Sequence, residues 1–415
     1  MLDRRSVLAA IARAALAFSA LASNASAQDG KPRARRQAQL KKAGAGAGGL
    51  RSIDALIEES MRAAGVVGAS LAVGKDGRLI KARGYGLADF ENKRPATRAT
   101  LFSLASVTKS VSAITALQLV DEGKLDIEIK LVDLFHDLKP AGMTRPADPR
   151  FHAITVHHLM FHAAGLPHDI ARGPGARIEQ DDDEDDESDD LVRVYQNAFA
   201  RRLEFDPGSE HRYSNAGFLL LRLVIEKIVG RPYEPYVREH LLAPLGITRT
   251  ILERPTLVPG ETRRYINGPK GLREAGHKPS NWLATPSDMV KLMAALDGMR
   301  GRPLLSKPTR RLMLEPPPPP VRPNARGAYV GLGWDVVQRD PNGFRYGKDG
   351  GKAGVRAWLE HLPGGVDWCL MFNTTPGGRN GQDKPPDPFR PCVNRVREAL
   401  EATRDWPVRD LFETP

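Results

Sequence analysis

The sequence predicts an α+β protein in which an antiparallel sheet is flanked by N- and C-terminal helices and a mainly helical lobe is inserted between its strands. Three observations predict it. The periodic segments run helix, hairpin, many helices, three strands, helix. Two short β-rich runs near the start are joined by Lys75-Asp76-Gly77, and Asp-Gly is a strong signal for a tight hairpin. A proline run, Pro316 to Pro320, then separates the helical middle from the strands that return.

The first 27 residues have a basic start, an apolar middle and Ala25-Ser26-Ala27, the small-residue pattern of a signal-peptidase site. Cleavage is expected after Ala27. Arg4-Arg5 resembles a twin-arginine export signal, so a periplasmic or secreted protein is expected. Residues 28–50 read as a basic, Gly/Ala-rich linker. Gly44 to Gly49 formally matches G-x-G-x-x-G, but a polar tail precedes it where a nucleotide site requires a strand. A single folded domain is expected over 51–415, with an α/β lobe at about 51–110 and 325–415 and a helical lobe at about 111–324.

Within that domain, Ile53, Leu56, Ile57 and Met61 recur at helical spacing and predict a helix over 52–64, stopped by Gly65. Gly68 to Val73 and Arg78 to Ala82 are the hairpin strands. Residues 106–122 predict a long amphipathic helix closed by Gly123. Further helices are expected at 155–163, 191–200, 216–229 and 286–297, the last with Thr285 as N-cap and Pro286 in the first turn. Tyr329 to Val337, Arg356 to Leu362 and Trp368 to Asn373 predict strands, and Cys392 to Thr403 a closing helix. A cleft between the two lobes is a favoured place for a small-molecule site.

Composition narrows the function classes. Of the 415 residues 41% are hydrophobic and 27% charged, an ordinary globular balance, and no apolar stretch approaches the roughly 20 residues of a membrane span. Two cysteines exclude a disulfide framework or a four-cysteine zinc module, although Cys369 and Cys392 could pair in an oxidising compartment. The formal charge of +11 is unevenly spread: residues 31–42 form a basic tract, whereas 179–190 form an acidic one that reads as a solvated loop. Basic patches without interleaved aromatics do not support nucleic-acid readout, and with an export signal they suggest contact with an anionic cell envelope.

Three constellations could carry chemistry. Ser106-Val107-Thr108-Lys109 puts an ammonium on the turn after a serine, where it can help remove the hydroxyl proton, and a helix N-terminus offers N–H donors to an oxyanion. Tyr213-Ser214-Asn215 offers a proton relay and, two residues on, an amide for a substrate carbonyl. Lys348-Asp349-Gly350-Gly351 puts a cation at a strand entrance beside glycines that let backbone approach a ligand. His158 and His162 stand at i, i+4 but lack a third ligand, and read as structural histidines.

The order and roles of these motifs resemble the serine β-lactamase and penicillin-binding superfamily, in particular its class C-like branch, whose middle motif is Y-x-N. FSLASVTKSVSAITALQLVDEGKLD, ITVHHLMFHAAGL, FDPGSEHRYSNAGFLLLRLVIEKIVG and GLGWDV are all similar to segments of that family, in family order, and the resemblance spans about residues 52 to 400. It implies a β-lactamase/transpeptidase-like fold and a serine hydrolase acting through an acyl-enzyme on an ester, amide or D-amino-acid peptide. Ser106 would be the nucleophile, and Lys109 and Tyr213 would share general-base and general-acid duty. Asn215, Lys348, Asp349 and Gly350 would line the substrate site, with Lys348 supporting Tyr213 and attracting a substrate carboxylate. The N–H groups of Ser106 and Gly351 would form the oxyanion hole. No metal or organic cofactor is implied, and the expected partner is a small molecule or short peptide. Lactam-recognising members carry Thr where this chain has Asp349. Facing the cleft, Asp349 would repel an anionic substrate and neutralise Lys348; turned away, it would do neither. The altered motif also keeps open a catalytically silent protein that binds peptidoglycan fragments or a partner.

Overall fold

The computed structural model describes residues 49–167, 170, 190–268, 271–277, 280–377 and 387–413. The expected export signal, nearly all of the expected linker and the acidic tract except Asp190 lie outside them. The first helix, α1 (Gly49–Ala64), buries Ile53, Ile57 and Met61, whose spacing of four aligns them in one stripe, while Leu56 is half-buried. The strands are β1 (Gly68–Lys75), β2 (Arg78–Asp89), β3 (Arg94–Pro95), β4 (Phe102–Ser103), β5 (Ile251–Leu252), β6 (Tyr265–Gly268), β7 (Gly271–Glu274), β8 (Trp282–Ala284), β9 (Tyr329–Gly331), β10 (Trp334–Asp340), β11 (Gly343–Lys352), β12 (Val355–Leu362), β13 (Val366–Phe372) and β14 (Thr374–Pro376). Asp76 and Gly77 both take positive φ, the geometry that turns β1 into β2.

The main sheet is antiparallel with eight strands in the order β3-β2-β1-β13-β12-β11-β10-β9, where the sequence predicts five. The expected strand over 329–337 breaks at Gly331-Leu332-Gly333, because Gly333, at φ +80°, packs against α2 (Thr108–Asp121): a Cβ there would lie 2.5 Å from the Ala113 methyl. β11 is a further addition. Lys348 to Gly351 lie inside it, where the sequence suggests a strand entrance; four glycines in GFRYGKDGGK mask its strand character. Two small sheets, β4-β8-β5 and β14-β6-β7, are likewise not anticipated.

The helical layer includes α2, α3 (Val156–Met160), α4 (Leu191–Phe199), α5 (Asn215–Val229), α6 (Tyr233–Val237), α7 (Pro286–Leu296) and α8 (Lys307–Met313), of which α6 and α8 are not predicted. α3 is shorter than the expected 155–163 because His162 adopts φ +55°. α2 is buried on all sides from Thr108 to Leu117, not amphipathic, and it absorbs its polar residues by pairing them: Ser110 Oγ donates to Gly333 O at 2.8 Å, and Ser112 meets the Tyr233 hydroxyl at 2.8 Å. Thr285 and Asp288 cap α7 reciprocally, as expected from Thr-Pro at its start.

The two faces of the sheet pack into two cores. Ala357, Leu359, Cys369 and Met371 face the helical layer, whereas Trp358, Leu370 and Phe372 face α1 and the last helix, α9 (Arg390–Ala402), in period-two alternation. Cys369 and Cys392 lie in different cores on opposite sheet faces, so both are free and buried and the conceivable disulfide does not form. No helix among the described residues is long and apolar enough to cross a membrane.

Candidate active site

Ser106 sits in the sharp turn that carries the chain from β4 into α2. β4 is anchored by pairing with β8, and Leu104 N donates to Trp282 O at 2.8 Å. Ala105 then takes φ +43°, a conformation that L side chains rarely adopt, and a short 3-10 turn over Ala105–Val107 presents Ser106 half-buried. The helix proper begins only at Thr108, whose Oγ1 accepts from Trp282 N at 3.0 Å. The Asn281 amide, oriented so that its nitrogen faces Ala105 O at 3.0 Å, meets Lys352 Nζ with its oxygen at 3.1 Å. The strained residue is thus gripped on both sides.

Lys109, buried on the next turn, donates from Nζ to Ser106 Oγ at 3.3 Å. From the opposite wall the Tyr213 hydroxyl meets the same Oγ at 2.6 Å. Lys109 Nζ and Lys348 Nζ lie 5.2 and 5.0 Å from the centre of the Tyr213 ring, and that ring packs at 4.5 Å on His162. His162 Nδ1 accepts from Ser214 N at 3.1 Å, and His162 O accepts from Arg212 N at 2.9 Å, so the histidine fixes the backbone on both sides of Tyr213. Complete burial, and then the charges of Lys348 and Lys109, hold the His162 imidazole far below its usual pKa and therefore neutral. Asn215 is buried as the first residue of α5, whose N-terminus is capped by Ser214 Oγ accepting from Gly217 N at 3.2 Å. The serine, both lysines and the tyrosine are brought to one place by the turn into α2, the segment before α5, and β11.

The third motif is divided by the alternation of the strand. Lys348 and Gly350 face the helical layer; Asp349 faces α9, where its carboxylate accepts from Arg390 Nη2 at 2.9 Å. Burial, and then the Asp335 charge, raise the Asp349 pKa. Asp349 thus turns away from the serine. The group on Lys348 is instead Asp335 of β10, whose Oδ1 accepts from Lys348 Nζ, while its Oδ2 accepts from Asp349 N at 3.3 Å. Gly350 is the point of closest approach: a Cβ on it would stand 2.4 Å from Leu104 O and 2.9 Å from Ser106 N. β10 pairs only with Gly343 to Gly347, so beyond them β11 offers an open edge. Backbone N–H groups two apart point to the same edge of a strand, and the Asp349 N–H points away from β12, so the Gly351 N–H points into the cleft as well.

Sequence reasoning assigned no role to Asp335, Ala105 or Asn281. In the sequence GLGWDV stands only as a segment, and nothing in it marks Asp335 as the partner of a lysine. His162 reads as structural in the sequence, and its place behind Tyr213 follows only from the fold.

Residues 53–386 match the family model described as Beta-lactamase. Among curated relatives, the chain is 33% identical over 198 residues to Esterase EstB of Burkholderia gladioli (47% of this chain, 49% of that protein). It is 34% identical over 217 residues to N-acetylmuramyl-L-alanine amidase of Bacillus subtilis (49% and 46%). These matches span about half the length of the curated relatives. Among solved structures, D-amino acid amidase from Ochrobactrum anthropi SV3 superposes with a TM-score of 0.66 at 24% identity, covering 85% of this chain and 98% of that one, a likeness of fold. With the family match covering most of the chain and the fold agreeing, the protein belongs to the Beta-lactamase family.

Proposed function

We propose that the protein is a serine hydrolase that works through an acyl-enzyme on esters, amides or short peptides. The observation that carries this reading is the paired approach to Ser106 Oγ, with the Tyr213 hydroxyl at 2.6 Å and Lys109 Nζ at 3.3 Å. A serine hydroxyl becomes a nucleophile when a neighbour receives its proton as the new bond forms, and here both neighbours are in reach before substrate arrives. Ser106 Oγ attacks the carbonyl carbon while its proton passes to the Tyr213–Lys109 pair. The Ser106 and Gly351 N–H groups receive the developing oxyanion, and the same pair returns the proton to the leaving group. Water then repeats the sequence on the acyl-enzyme. Asn215 holds the substrate carbonyl region, and Lys348 supports Tyr213 electrostatically. The chemistry named for the similar esterase and amidases agrees with this reading. A silent binding protein has less to support it, since its main argument was Asp349, which turns to Arg390.

The test is covalent labelling. With a fluorophosphonate, the adduct is expected on Ser106 by mass spectrometry, and Ser106→Ala is expected to lower ester turnover by roughly 10⁴-fold or more. A folded Ser106→Ala variant that matches the wild type sinks the reading. A fluorescent penicillin added in parallel reports whether lactams acylate the same serine.

We also propose export to the periplasm or medium, supported by the basic start, apolar segment and Ala25-Ser26-Ala27 of the leader. The positive charge of the remaining chain suits contact with an anionic envelope. Expression in a bacterial host followed by N-terminal sequencing is expected to yield a chain starting at Gln28 in the periplasmic fraction; an intact Met1 chain confined to the cytoplasm excludes export.

A further inference from the structure

Resting on the hydrolase reading, we propose that Asp335 sets the charge specificity of the site, making it select substrates with no carboxylate next to the scissile bond, such as neutral esters and amides. An ammonium beside a nucleophilic serine is a natural anchor for a substrate carboxylate. In this chain that anchor is already occupied from within. Asp335 Oδ1 accepts from Lys348 Nζ, and Asp335 Oδ2 takes the Asp349 N–H on the strand edge where a substrate would lie.

The exposures fix the order in which a ligand meets these charges. The Lys348 side chain is 1% exposed and that of Asp335 27%, so an incoming group meets the carboxylate before the ammonium. Asp335 also lines a groove of about 190 Å³ with His211, Pro317, Arg322, Tyr329 and Val336. The other groups around Lys348 do not restore an anion site. The His211 imidazole is held below its usual pKa by burial and by Lys348, and His162 is neutral for the same reasons. Asp349 has turned to Arg390 and its carboxyl otherwise meets that of Asp335, so it brings no positive charge to the cleft. A substrate carboxylate would have to displace Asp335 or sit beside it, and either course weakens its acylation relative to that of a neutral ester.

The test compares kcat/KM for a neutral and an anionic ester with the same leaving group, 4-nitrophenyl butyrate and 4-nitrophenyl hydrogen glutarate, in wild type and variants, alongside fluorophosphonate labelling of Ser106. Wild type is expected to favour the neutral ester by about tenfold or more. Asp335→Asn keeps the shape and removes the charge, and is expected to raise the anionic-to-neutral ratio by about tenfold, whereas Asp335→Glu restores the wild-type preference. A purely structural role would lower both rates together and leave the ratio in place. If Ser106 is labelled and the ratio is the same in wild type and Asp335→Asn, the proposal is wrong while the hydrolase reading stands. If Ser106 is not labelled and neither ester turns over, both fall.

Discussion

At the scale of single residues the site depends on one close contact. Gly350 lies against the backbone of the Ser106 turn with no room for a methyl group, and Ala105 holds a positive φ that the Leu104–Trp282 hydrogen bond and the Asn281 amide must sustain. Gly350→Ala is therefore expected to push the nucleophile away from Tyr213 and lower kcat on a neutral ester by roughly 10²-fold, since displacements near 1 Å have that effect. Gly347→Ala is the control. Its Cβ would crowd Leu359 O at 2.9 Å in the neighbouring strand, away from the serine, so a comparable fall in melting temperature with kcat changed only a few-fold is expected. Equal kcat losses in the two variants would show that sheet strain, not serine placement, is the cause. The grouping of Ser106, Lys109, Tyr213 and Lys348 was legible in the sequence because each stands in a short local motif whose spacing carries its chemistry. Asp335 was not, because its partner Lys348 lies across a strand turn and nothing local to Trp334-Asp335 announces an ion pair.

At the scale of elements, the parts read correctly from sequence are those whose period matches their burial. α1 has a stripe, β1 and β2 an Asp-Gly turn, and α7 a Thr285 N-cap followed by Pro286. The parts misread are those where tertiary contact overrides local preference. β11 is rich in glycine because it must lie against both the Ser106 turn and β12, so the strand that carries Lys348 has the composition of a loop. α2 shows no polar face because it runs through the middle of the molecule, with Ser110 and Thr115 donating to carbonyls, Ser112 paired with a tyrosine and Thr108 accepting from the Trp282 N–H. The small sheets behind the site escaped notice for a related reason: they are held by ionic groups as much as by apolar ones. Glu253, next to β5, accepts from buried Arg264 at 2.7 Å and from the half-buried Lys352 at 2.8 Å, and burial of the carboxylate is outweighed by the Lys352 and Arg264 charges, which keep its pKa low. Lys352 also meets Asn281, so this buried network ties the end of β11 to the carbonyl of Ala105. Neighbouring strands and the Ser106 turn are thereby fixed to one another by charge, and removing Glu253 would take away the carboxylate that Lys352 and Arg264 share.

At the scale of the whole molecule, a second buried ionic group joins the sheet to the helical layer. His361 of β12 sits with Nδ1 2.6 Å from Asp297 Oδ2, at the end of α7, and 2.8 Å from Asp367 Oδ1 of β13; Tyr346 of β11 donates to Asp297 Oδ1 at 2.5 Å, and Arg310 of α8 meets the same oxygen. Five elements thus converge on one histidine. Burial alone would push the His361 pKa down, but its bonds to Asp297 and Asp367 prevail and raise it to about 10, while burial and the Asp297 charge raise Asp367 to about 6. Both shifts mean that the folded protein binds more protons here than the unfolded chain, so both make stability fall as pH rises. The Asp367 contribution is complete below its unfolded pKa near 3.9 and is lost as pH passes through about 6; that of His361 is complete below about 6.5 and is lost as pH approaches about 10. Asp367→Asn mimics the protonated acid at every pH. Denaturant unfolding of wild type and Asp367→Asn between pH 4 and 7 is expected to show wild type losing roughly 2 kcal/mol relative to the variant across that window, since carboxylates elsewhere in the fold titrate alike in both and cancel in the difference. Parallel stability curves would mean that Asp367 is ionised throughout, and that His361 and Arg310 balance both carboxylates as a closed ionic joint.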